Sequence, residues 1–315
     1  MIVGSLLCIL QKSLHFMIPL NKMQLIRQHS EVVMQNNLYH GMTETELDEA
    51  YNNTAIVKDF DGLLKKLQAR SRALYKKYHW IRDRSYGRKP RQRYDFLSSG
   101  IKNSPTYIFI HGGYWTNCNK EDFAFIAQGP HANGMNVILA EYTLAPDATM
   151  TEIVNEIGHL IKKIKDDQDF LGVRDSPLYL AGHSAGGHLA ALYRSHHAIS
   201  RVHMISALVD LNPISMCWLQ DKLKLTPVEI KLYSPLFHLE KGAPTLVSVG
   251  GDELPELIRQ SSCYADELVR IDKSVKMFTL PMATHFTILD DLANPDGFLM
   301  KQFMTLKKPG TPKIY

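Results

Sequence analysis

Short, continuous apolar runs recur along the chain from residue 107 onward, and amphipathic segments separate them. The six runs are 107–110, 137–140, 178–181, 204–208, 245–249 and 275–280. Continuous rather than alternating apolar runs are typical of strands buried on both faces of a parallel sheet. Between the second and third runs, apolar residues recur at helical spacing from Ile153 to Ile164. The alternation predicts an α/β fold with a mostly parallel, doubly wound sheet.

Two segments depart from this rhythm. From Thr43 to Lys77 the pattern is helical, and Thr43 with Glu46 fits a capping box, which predicts an N-terminal helical arm before the sheet. Residues 210–242 contain no apolar run and carry three prolines, which indicates a cap insertion. We therefore expect a single α/β domain over residues 34–315, with the cap inside it.

The first 33 residues are predicted to be an extension outside the fold. Residues 2–10 are apolar, but no basic residue precedes them and Lys12 follows. This is the wrong order for a secretory signal peptide. Met17, Met23 and Met34 also offer alternative starts further along the chain.

Composition narrows the classes of function. The 315 residues are 45% hydrophobic and 22% charged with a formal net charge of +4, which is too weakly basic for a nucleic-acid binder. The densest basic stretch, Arg82 to Arg93, is interrupted by Gly87 and Pro90 and predicts a solvated hairpin. No run approaches the roughly 20 apolar residues that span a bilayer. The four cysteines lack zinc or redox spacing, which predicts a cytoplasmic protein without a metal.

The strongest chemical signal is the motif Gly182-His183-Ser184-Ala185-Gly186. It directly follows an apolar run and precedes a segment with helical character, which is the context of a nucleophile elbow in α/β-hydrolases. Flanking glycines allow neighbouring backbone to pass close to a strained turn, so that the serine hydroxyl projects above the sheet. The motif predicts an α/β-hydrolase fold with Ser184 as nucleophile.

A second motif, His111-Gly112-Gly113-Tyr114-Trp115, follows the first predicted strand. In this fold, glycines at that place supply backbone amides to the oxyanion hole, and losing one such donor costs about 10²–10³-fold in rate. Gly112, Gly113 and the amide of Ala185 are the predicted donors. His111 itself is interpreted as a structural hydrogen-bonding residue rather than as a base.

A serine nucleophile needs a base that an acid orients, and the chain order in this fold is serine, acid, histidine. His285 follows the last predicted strand after a short loop, which is the expected place of the base. The acid is less determined, because both Asp252 and Glu253 follow the strand 245–249. Spacing alone favours neither carboxylate.

Together these segments resemble the arylformamidase (kynurenine formamidase) branch of the α/β-hydrolases, over roughly residues 51–303. The resemblance is carried by His111-Gly112-Gly113-Tyr114-Trp115, Gly182-His183-Ser184-Ala185-Gly186, Val249-Gly250 through Glu253-Leu254-Pro255-Glu256, Arg259-Gln260-Ser261 and Thr284-His285-Phe286. It implies an enzyme that removes the formyl group from N-formyl-kynurenine. Members of this branch place the acid just before a segment resembling Ser-Pro-Glu-Phe. The resemblance therefore implies Glu253, where the animal enzymes have Asp, with Asp252 as the alternative.

The expected reaction is the attack of Ser184 on a small acyl amide or ester, without a metal or organic cofactor. Tyr114 and Trp115 beside the oxyanion loop, and Trp218 in the cap, are predicted to contact an aromatic substrate, with core packing as the alternative for the first two. Three functions stay open: arylformamidase-like amide hydrolysis, a carboxylesterase acting on small aryl or acyl esters, and a non-catalytic binding protein of this fold. Neither nucleic acid nor a membrane is an expected partner, and the oligomeric state is open, a homodimer included.

Overall fold

A computed structural model describes residues 39–307. The chain divides into two compact units, Met1–Leu47 and Asp48–Tyr315. In the first unit the predicted capping box is present at the start of helix α1 (Glu44–Ala50): Thr43 Oγ1 accepts from the amide of Glu46 at 3.3 Å, and the amide of Thr43 donates to Glu46 Oε2 at 2.8 Å. The predicted extension over residues 1–33 lies outside the described residues.

The second unit contains an eight-stranded sheet and the remaining helices. The strands are β1 (Trp80–Ser85), β2 (Arg93–Leu97), β3 (Thr106–Ile110), β4 (Asn136–Ala140), β5 (Leu178–His183), β6 (Ile199–Ile205), β7 (Thr245–Gly250) and β8 (Val275–Leu280). The helices are α2 (Phe60–Lys77), α3 (Gln128–Ala132), α4 (Met150–Asp166), α5 (Ala185–Leu192), α6 (Gln220–Leu223), α7 (Pro227–Tyr233), α8 (Pro255–Ile271), α9 (Ile288–Ala293) and α10 (Phe298–Met304). Short 3₁₀ helices cover Lys120–Ala127, Pro213–Met216 and Pro235–Phe237.

The sheet is mostly parallel. Its strand order is β1-β2-β4-β3-β5-β6-β7-β8, and only the β1–β2 and β2–β4 pairs are antiparallel. The carboxyl ends of β3, β5, β6, β7 and β8 therefore lie along one edge of the sheet. The α/β class and the parallel, doubly wound arrangement predicted from the apolar runs are confirmed, and the segments that carry the chemical motifs follow strands at this edge.

Two features of the sheet differ from the sequence pattern. The strand predicted at 204–208 is β6, Ile199–Ile205, because Ser206 adopts a φ of 51° that ends the extended backbone. The apolar character continues past this point because the segment after the strand is also buried. The antiparallel strands β1 and β2 were not among the six apolar runs, and the basic stretch from Arg82 to Arg93 lies in the hairpin that they form.

The core beside the sheet explains why these helices form where they do. Helix α4 begins at Thr149, whose side chain accepts from the amide of Glu152, and it buries the apolar positions that predicted it. On one face of the sheet, Tyr107, Phe109 and Tyr179 belong to a buried cluster that also includes apolar residues of α2, the 3₁₀ helix Lys120–Ala127, α9 and α10. Burial of this apolar surface is the main force holding the helices against the strands.

Residues 210–242 contain short helices and turns and no strand. Their start is tied to α8, because the amides of Val209 and Asp210 both donate to Gln260 Oε1, at 2.7 and 3.0 Å. Their second half is tied to α5, where His188 Nε2 donates to the carbonyl of Tyr233 at 2.6 Å. No helix in residues 39–307 is both long enough and apolar enough to cross a membrane.

Candidate active site

Ser184 lies in a sharp turn between β5 and α5. Its backbone has φ 55° and ψ −119°, a conformation that costs on the order of 1–3 kcal/mol for a residue other than glycine. The flanking glycines make the turn sterically feasible. A Cβ at Gly182 would lie 2.1 Å from the carbonyl oxygen of Gly186, and a Cβ at Gly186 would lie 2.1 Å from the carbonyl oxygen of Ile110. The start of α5 can therefore approach the end of β3, next to the second motif.

The loop after β3 brings backbone amides beside Ser184. A Cβ on Gly112 would lie 3.1 Å from the Cβ of Ser184, so a side chain at position 112 would crowd the nucleophile. The amides of Gly112, Gly113 and Ala185 make no hydrogen bond to a protein acceptor within residues 39–307. Unpaired backbone amides are suited to donate to a developing oxyanion.

His285 and Glu253 form a hydrogen-bonded pair at this edge of the sheet. The distance from His285 Nδ1 to Glu253 Oε2 is 2.7 Å, and the Glu253 side chain is fully buried. Glu253 Oε1 accepts from Ser206 Oγ at 2.5 Å and from the amide of Gly250 at 2.6 Å. With Nδ1 donating to the carboxylate, the Nε2 lone pair of His285 is available as a base. The structure thus brings Glu253 to His285.

Asp252, the alternative acid, has a different position. Its side chain is exposed, and its amide donates to the carbonyl of Ala283 at 3.0 Å. The loop after β7 therefore turns the two neighbouring carboxylates to opposite sides, with the glutamate buried and the aspartate in solvent.

The Ser184 hydroxyl makes no hydrogen bond to His285 among the described residues. The two are connected through His183, which precedes Ser184 and whose Nε2 donates to the carbonyl of His285 at 2.8 Å. The His183 and His285 rings lie 4.5 Å apart. Hydrogen bonds of a catalytic serine are commonly long before substrate binds and shorten in the complex.

Burial keeps the neighbouring histidine rings neutral. Burial and the proximity of His285 hold the pKa of His183 well below its usual range. Burial likewise lowers the pKa of His188 to about 4. A neutral His183 adds no positive charge beside His285, so a proton taken up by His285 during a reaction is not opposed by its neighbour.

His111 has the structural role expected from the sequence. Its Nε2 lies 2.9 Å from Glu141 Oε1, and its Nδ1 lies 2.7 Å from the carbonyl oxygen of Gly112. Burial would raise the pKa of Glu141, but the contacts with His111 and Arg91 hold it below its usual range. The ionised carboxylate anchors the His111 ring, which in turn supports the backbone at Gly112.

The three aromatic residues predicted to contact substrate lie in different environments. Trp115 is fully buried and meets the His188 ring edge-on at 5.0 Å. Tyr114 is buried, and its ring lies 5.3 Å from that of Trp218 in an edge-on contact. Trp218 is only partly buried. Of the three, Trp218 has the most side-chain surface that a substrate could reach.

Ser206 and Phe60 carried no signal in the sequence analysis. Ser206 supports Glu253 and could have been suspected only as a polar residue at the end of a buried strand. Phe286 is half-buried and lies 5.3 Å from the His285 ring, and Phe60 at the start of α2 lies 5.3 Å from the Phe286 ring. Phe60 is 225 positions before His285 in the sequence, so no local pattern could have associated it with the base. Within residues 39–307, no group of three or more His, Cys, Asp or Glu side chains is arranged to hold a metal ion.

Comparisons with known proteins show what the whole chain is similar to. The BD-FAE family profile matches residues 96–202. The chain is 26% identical to the kynurenine formamidase of Danio rerio over 72% of this chain and 81% of that protein. It is 28% identical to the kynurenine formamidase of Salmo salar over 64% of this chain and 72% of that protein. A crystal structure from Silicibacter sp. TM1040, described as a thioesterase, superposes with a TM-score of 0.73 at 26% identity and covers 82% of this chain and 99% of its own.

Fold, site and comparisons together define the class: the chain is a hydrolase of the α/β-hydrolase fold and of the serine-hydrolase type. Within that class it is arylformamidase-like, since its similarity to the kynurenine formamidases extends over most of the chain. The resemblance inferred from the sequence motifs is thereby confirmed.

Proposed function

We propose that this protein removes the formyl group from an aryl formamide of the N-formyl-kynurenine type, through an acyl-enzyme on Ser184. The observation that carries the proposal is the similarity to kynurenine formamidases over 72% of the chain. The geometry around Ser184, His285 and Glu253 supports it independently, because it supplies a nucleophile, a base and a buried acid at one edge of the sheet. The substrate is accordingly a small molecule.

The proposed reaction has two half-reactions. His285, oriented by Glu253, takes the proton from Ser184 Oγ as that oxygen attacks the formyl carbon. The amides of Gly112 or Gly113 and of Ala185 donate to the oxyanion. His285 then gives its proton to the leaving aryl nitrogen, the C–N bond breaks, and Ser184 retains the formyl group as an ester.

The second half-reaction restores the enzyme. His285 removes a proton from water, which attacks the formyl ester. The ester C–O bond breaks, Ser184 Oγ recovers its proton from His285, and formic acid leaves and releases its proton to solvent as formate. The half-buried Phe286 lies beside His285 and packs against Phe60, and we propose that these two rings receive the aryl group whose nitrogen His285 protonates.

Ester hydrolysis is the second candidate function. The same nucleophile, base and oxyanion donors act on any small acyl carbonyl, so the machinery does not discriminate between an amide nitrogen and an ester oxygen as leaving atom. The similar structure described as a thioesterase favours this alternative. A carboxylesterase acting on small aryl or acyl esters would use Ser184, Glu253 and His285 in the same roles.

Two finer proposals concern the surroundings of the enzyme. We propose a cytoplasmic location, which is supported by the free thiols of the three cysteines in the described residues, Cys118, Cys217 and Cys263. A homodimer stays a prediction for the assembly.

Kinetics on a pair of substrates distinguishes the two activities. We expect kcat/KM for N-formyl-kynurenine to exceed that for p-nitrophenyl acetate, although the ester has the better leaving group. The opposite order, with no measurable deformylation, would favour the carboxylesterase. In both outcomes the protein hydrolyses an acyl substrate. If it hydrolyses neither substrate, the result supports the hypothesis of a non-catalytic binding protein.

Substitution of the nucleophile tests the mechanism itself. Ser184→Ala should lower kcat by about 10⁶-fold, as in other serine hydrolases, and should abolish labelling by a fluorophosphonate probe. The fold should persist, because alanine and serine face the same backbone strain at this position. Circular dichroism and the thermal midpoint check the fold, and retained turnover in a folded Ser184→Ala variant would refute the mechanism.

A further inference from the structure

The loop that would supply the oxyanion donors is held in an unusual backbone conformation. Gly113, Tyr114 and Trp115 have φ angles of 111°, 54° and 58°. Two of these three consecutive left-handed residues are not glycine, and each such residue costs on the order of 1 kcal/mol or more. A loop like this keeps its shape only where neighbouring structure holds it.

The Tyr114 hydroxyl ties this loop to residues 51–53. It donates to the carbonyl of Tyr51 at 2.7 Å and accepts from both the amide and the side-chain Nδ2 of Asn53, each at 3.0 Å. Burial raises the pKa of Tyr114 to about 12, so the hydroxyl keeps its proton. One donor and two acceptor positions are the full capacity of a phenol, which leaves this hydroxyl none to offer a substrate.

The same short segment is anchored at its other side to the helix that follows the acid. The Tyr51 hydroxyl donates to Glu256 Oε2 at 2.9 Å and accepts from Gln260 Nε2 at 2.8 Å. Both partners lie on α8, which begins at Pro255, two positions after Glu253. Through Gln260 the network continues to the amides of Val209 and Asp210, where the segment 210–242 begins.

We propose that residues 51–53, here named the clasp, position the oxyanion loop relative to the acid and thereby set the rate of the chemical step. In this arrangement Tyr114 is a positioning residue: its hydroxyl aligns the amides of Gly112 and Gly113 and does not touch substrate. The inference rests on the proposed function, because the proposed reaction uses the amides of this loop as oxyanion donors. Its physical basis is that oxyanion donors act only within about 2.7–3.1 Å of the oxyanion, so a small shift of the loop loses much of their effect.

Removing a single oxygen tests the clasp. Tyr114→Phe keeps the ring against Trp218 and removes only the hydroxyl. We expect kcat to fall about tenfold while KM stays within about twofold, because a loosened oxyanion loop weakens transition-state binding more than substrate binding. The affinity for a trifluoromethyl ketone inhibitor, which forms a tetrahedral oxyanion adduct with Ser184, should fall by a similar factor. The affinity for the deformylated product should be unchanged.

A matched control separates positioning from stability. The Tyr193 hydroxyl also donates to a backbone carbonyl, that of Val154, at 2.7 Å, and it lies outside the oxyanion loop. Tyr193→Phe should lower the thermal midpoint comparably to Tyr114→Phe and leave kcat unchanged. Equal kinetic loss in both variants, or a rise in KM without loss of kcat in Tyr114→Phe, would overturn the clasp.

A second variant and a second readout keep the test decisive. Asn53→Ala removes one of the two donors to Tyr114, so its kcat should fall by about threefold, between wild type and Tyr114→Phe. The rate at which a fluorophosphonate labels Ser184 reports on the same oxyanion without requiring a substrate, and it should fall in the same order. Suppose that the wild-type protein is labelled and active, and that both variants show the same labelling and turnover rates as wild type. The clasp is then wrong, and the proposed function stands. If wild-type Ser184 neither labels nor turns over, the proposed function fails first.

Discussion

Glu253 shows how a single side chain is selected from two neighbours of the same charge. Its carboxylate is buried and receives hydrogen bonds from Ser206 Oγ, the amide of Gly250 and His285 Nδ1, so each oxygen has at least one donor. Three donors offset the cost of burying the carboxylate. Asp252 remains exposed to solvent. The burial difference makes Glu253 the proposed acid.

Neutralising each carboxylate in turn tests this choice. Glu253→Gln should lower kcat by about 10³–10⁴-fold, because an amide no longer holds His285 in the tautomer that leaves Nε2 free. Asp252→Asn is the matched control, and its kcat should stay within about twofold of wild type. Steady-state kinetics with thermal midpoints checks both. If Asp252→Asn alone were inactive, the acid would have to be reassigned.

At the scale of elements, the site is assembled from loops that follow β3, β5, β7 and β8 and from the start of one helix remote in sequence. Parallel strands place their carboxyl ends at one edge, so residues more than a hundred positions apart converge there. Helix α2 adds Phe60 to this edge, where it packs against Phe286. The Phe286 ring lies beside His285, so these two aromatic rings form an apolar border next to the base.

The aromatic border predicts a preference for aryl leaving groups. Phe286→Ala should raise KM for N-formyl-kynurenine about tenfold, since contact with one aromatic ring contributes on the order of 1.5 kcal/mol. KM for ethyl formate, which has no aryl group, should change by less than about twofold. Phe298→Ala is the control, because Phe298 is 42% exposed and packs edge-on against Phe278 away from His285. Equal effects on both substrates would remove Phe286 from substrate recognition.

For the molecule as a whole, buried histidines couple stability to pH. His203 lies in the sheet between Tyr107 and Ser248, with ring nitrogens 3.3 and 3.0 Å from their hydroxyl oxygens. Burial lowers the pKa of His203 to about 3 and that of His188 to about 4, and it holds the pKa of His183 well below its usual range. All three rings are therefore neutral in the folded chain at mildly acidic pH, where the unfolded chain protonates them.

The sign of the pH dependence follows from these lowered values. The three buried histidines favour the folded state fully above about pH 6.5, the ordinary histidine pKa. The free energy of unfolding then decreases as the pH falls toward the folded-state pKa values, about 4 for His188 and about 3 for His203. Each histidine contributes a slope of up to about 1.4 kcal/mol per pH unit inside this window. Urea unfolding at pH 7, 6 and 5 should show a declining free energy of unfolding.

Replacing one buried histidine isolates its share of this slope. The His203→Gln variant should have a lower free energy of unfolding at pH 7 than wild type. Its free energy of unfolding should fall less steeply between pH 7 and pH 5, because one protonating histidine has been removed, which reduces the slope by up to about 1.4 kcal/mol per pH unit. The exposed His159 on α4 provides the control, and His159→Gln should leave the decline unchanged. An identical slope in wild type and His203→Gln would show that His203 is not responsible.

How much could be predicted differs between the sheet and the site. The six apolar runs located the parallel strands β3 to β8, because strands buried on both faces need continuous apolar sequence. They misplaced β6 by several residues, since burial of the segment after Ser206 extended the apolar pattern beyond the strand. Strands β1 and β2 gave no such run, because β1 has exposed and charged positions between its buried ones.

The sequence by itself determined the order of the parallel strands along the chain, the elbow at Ser184, the glycines beside it and the position of His285. These depend on local periodicity and on turns that only certain residues can make. Tertiary structure decided which carboxylate reaches His285, that Phe60 packs against Phe286, and that residues 51–53 hold Tyr114. The reason is that these contacts join residues 32 to 226 positions apart, and only the packing of the whole sheet with its helices sets which side chains meet.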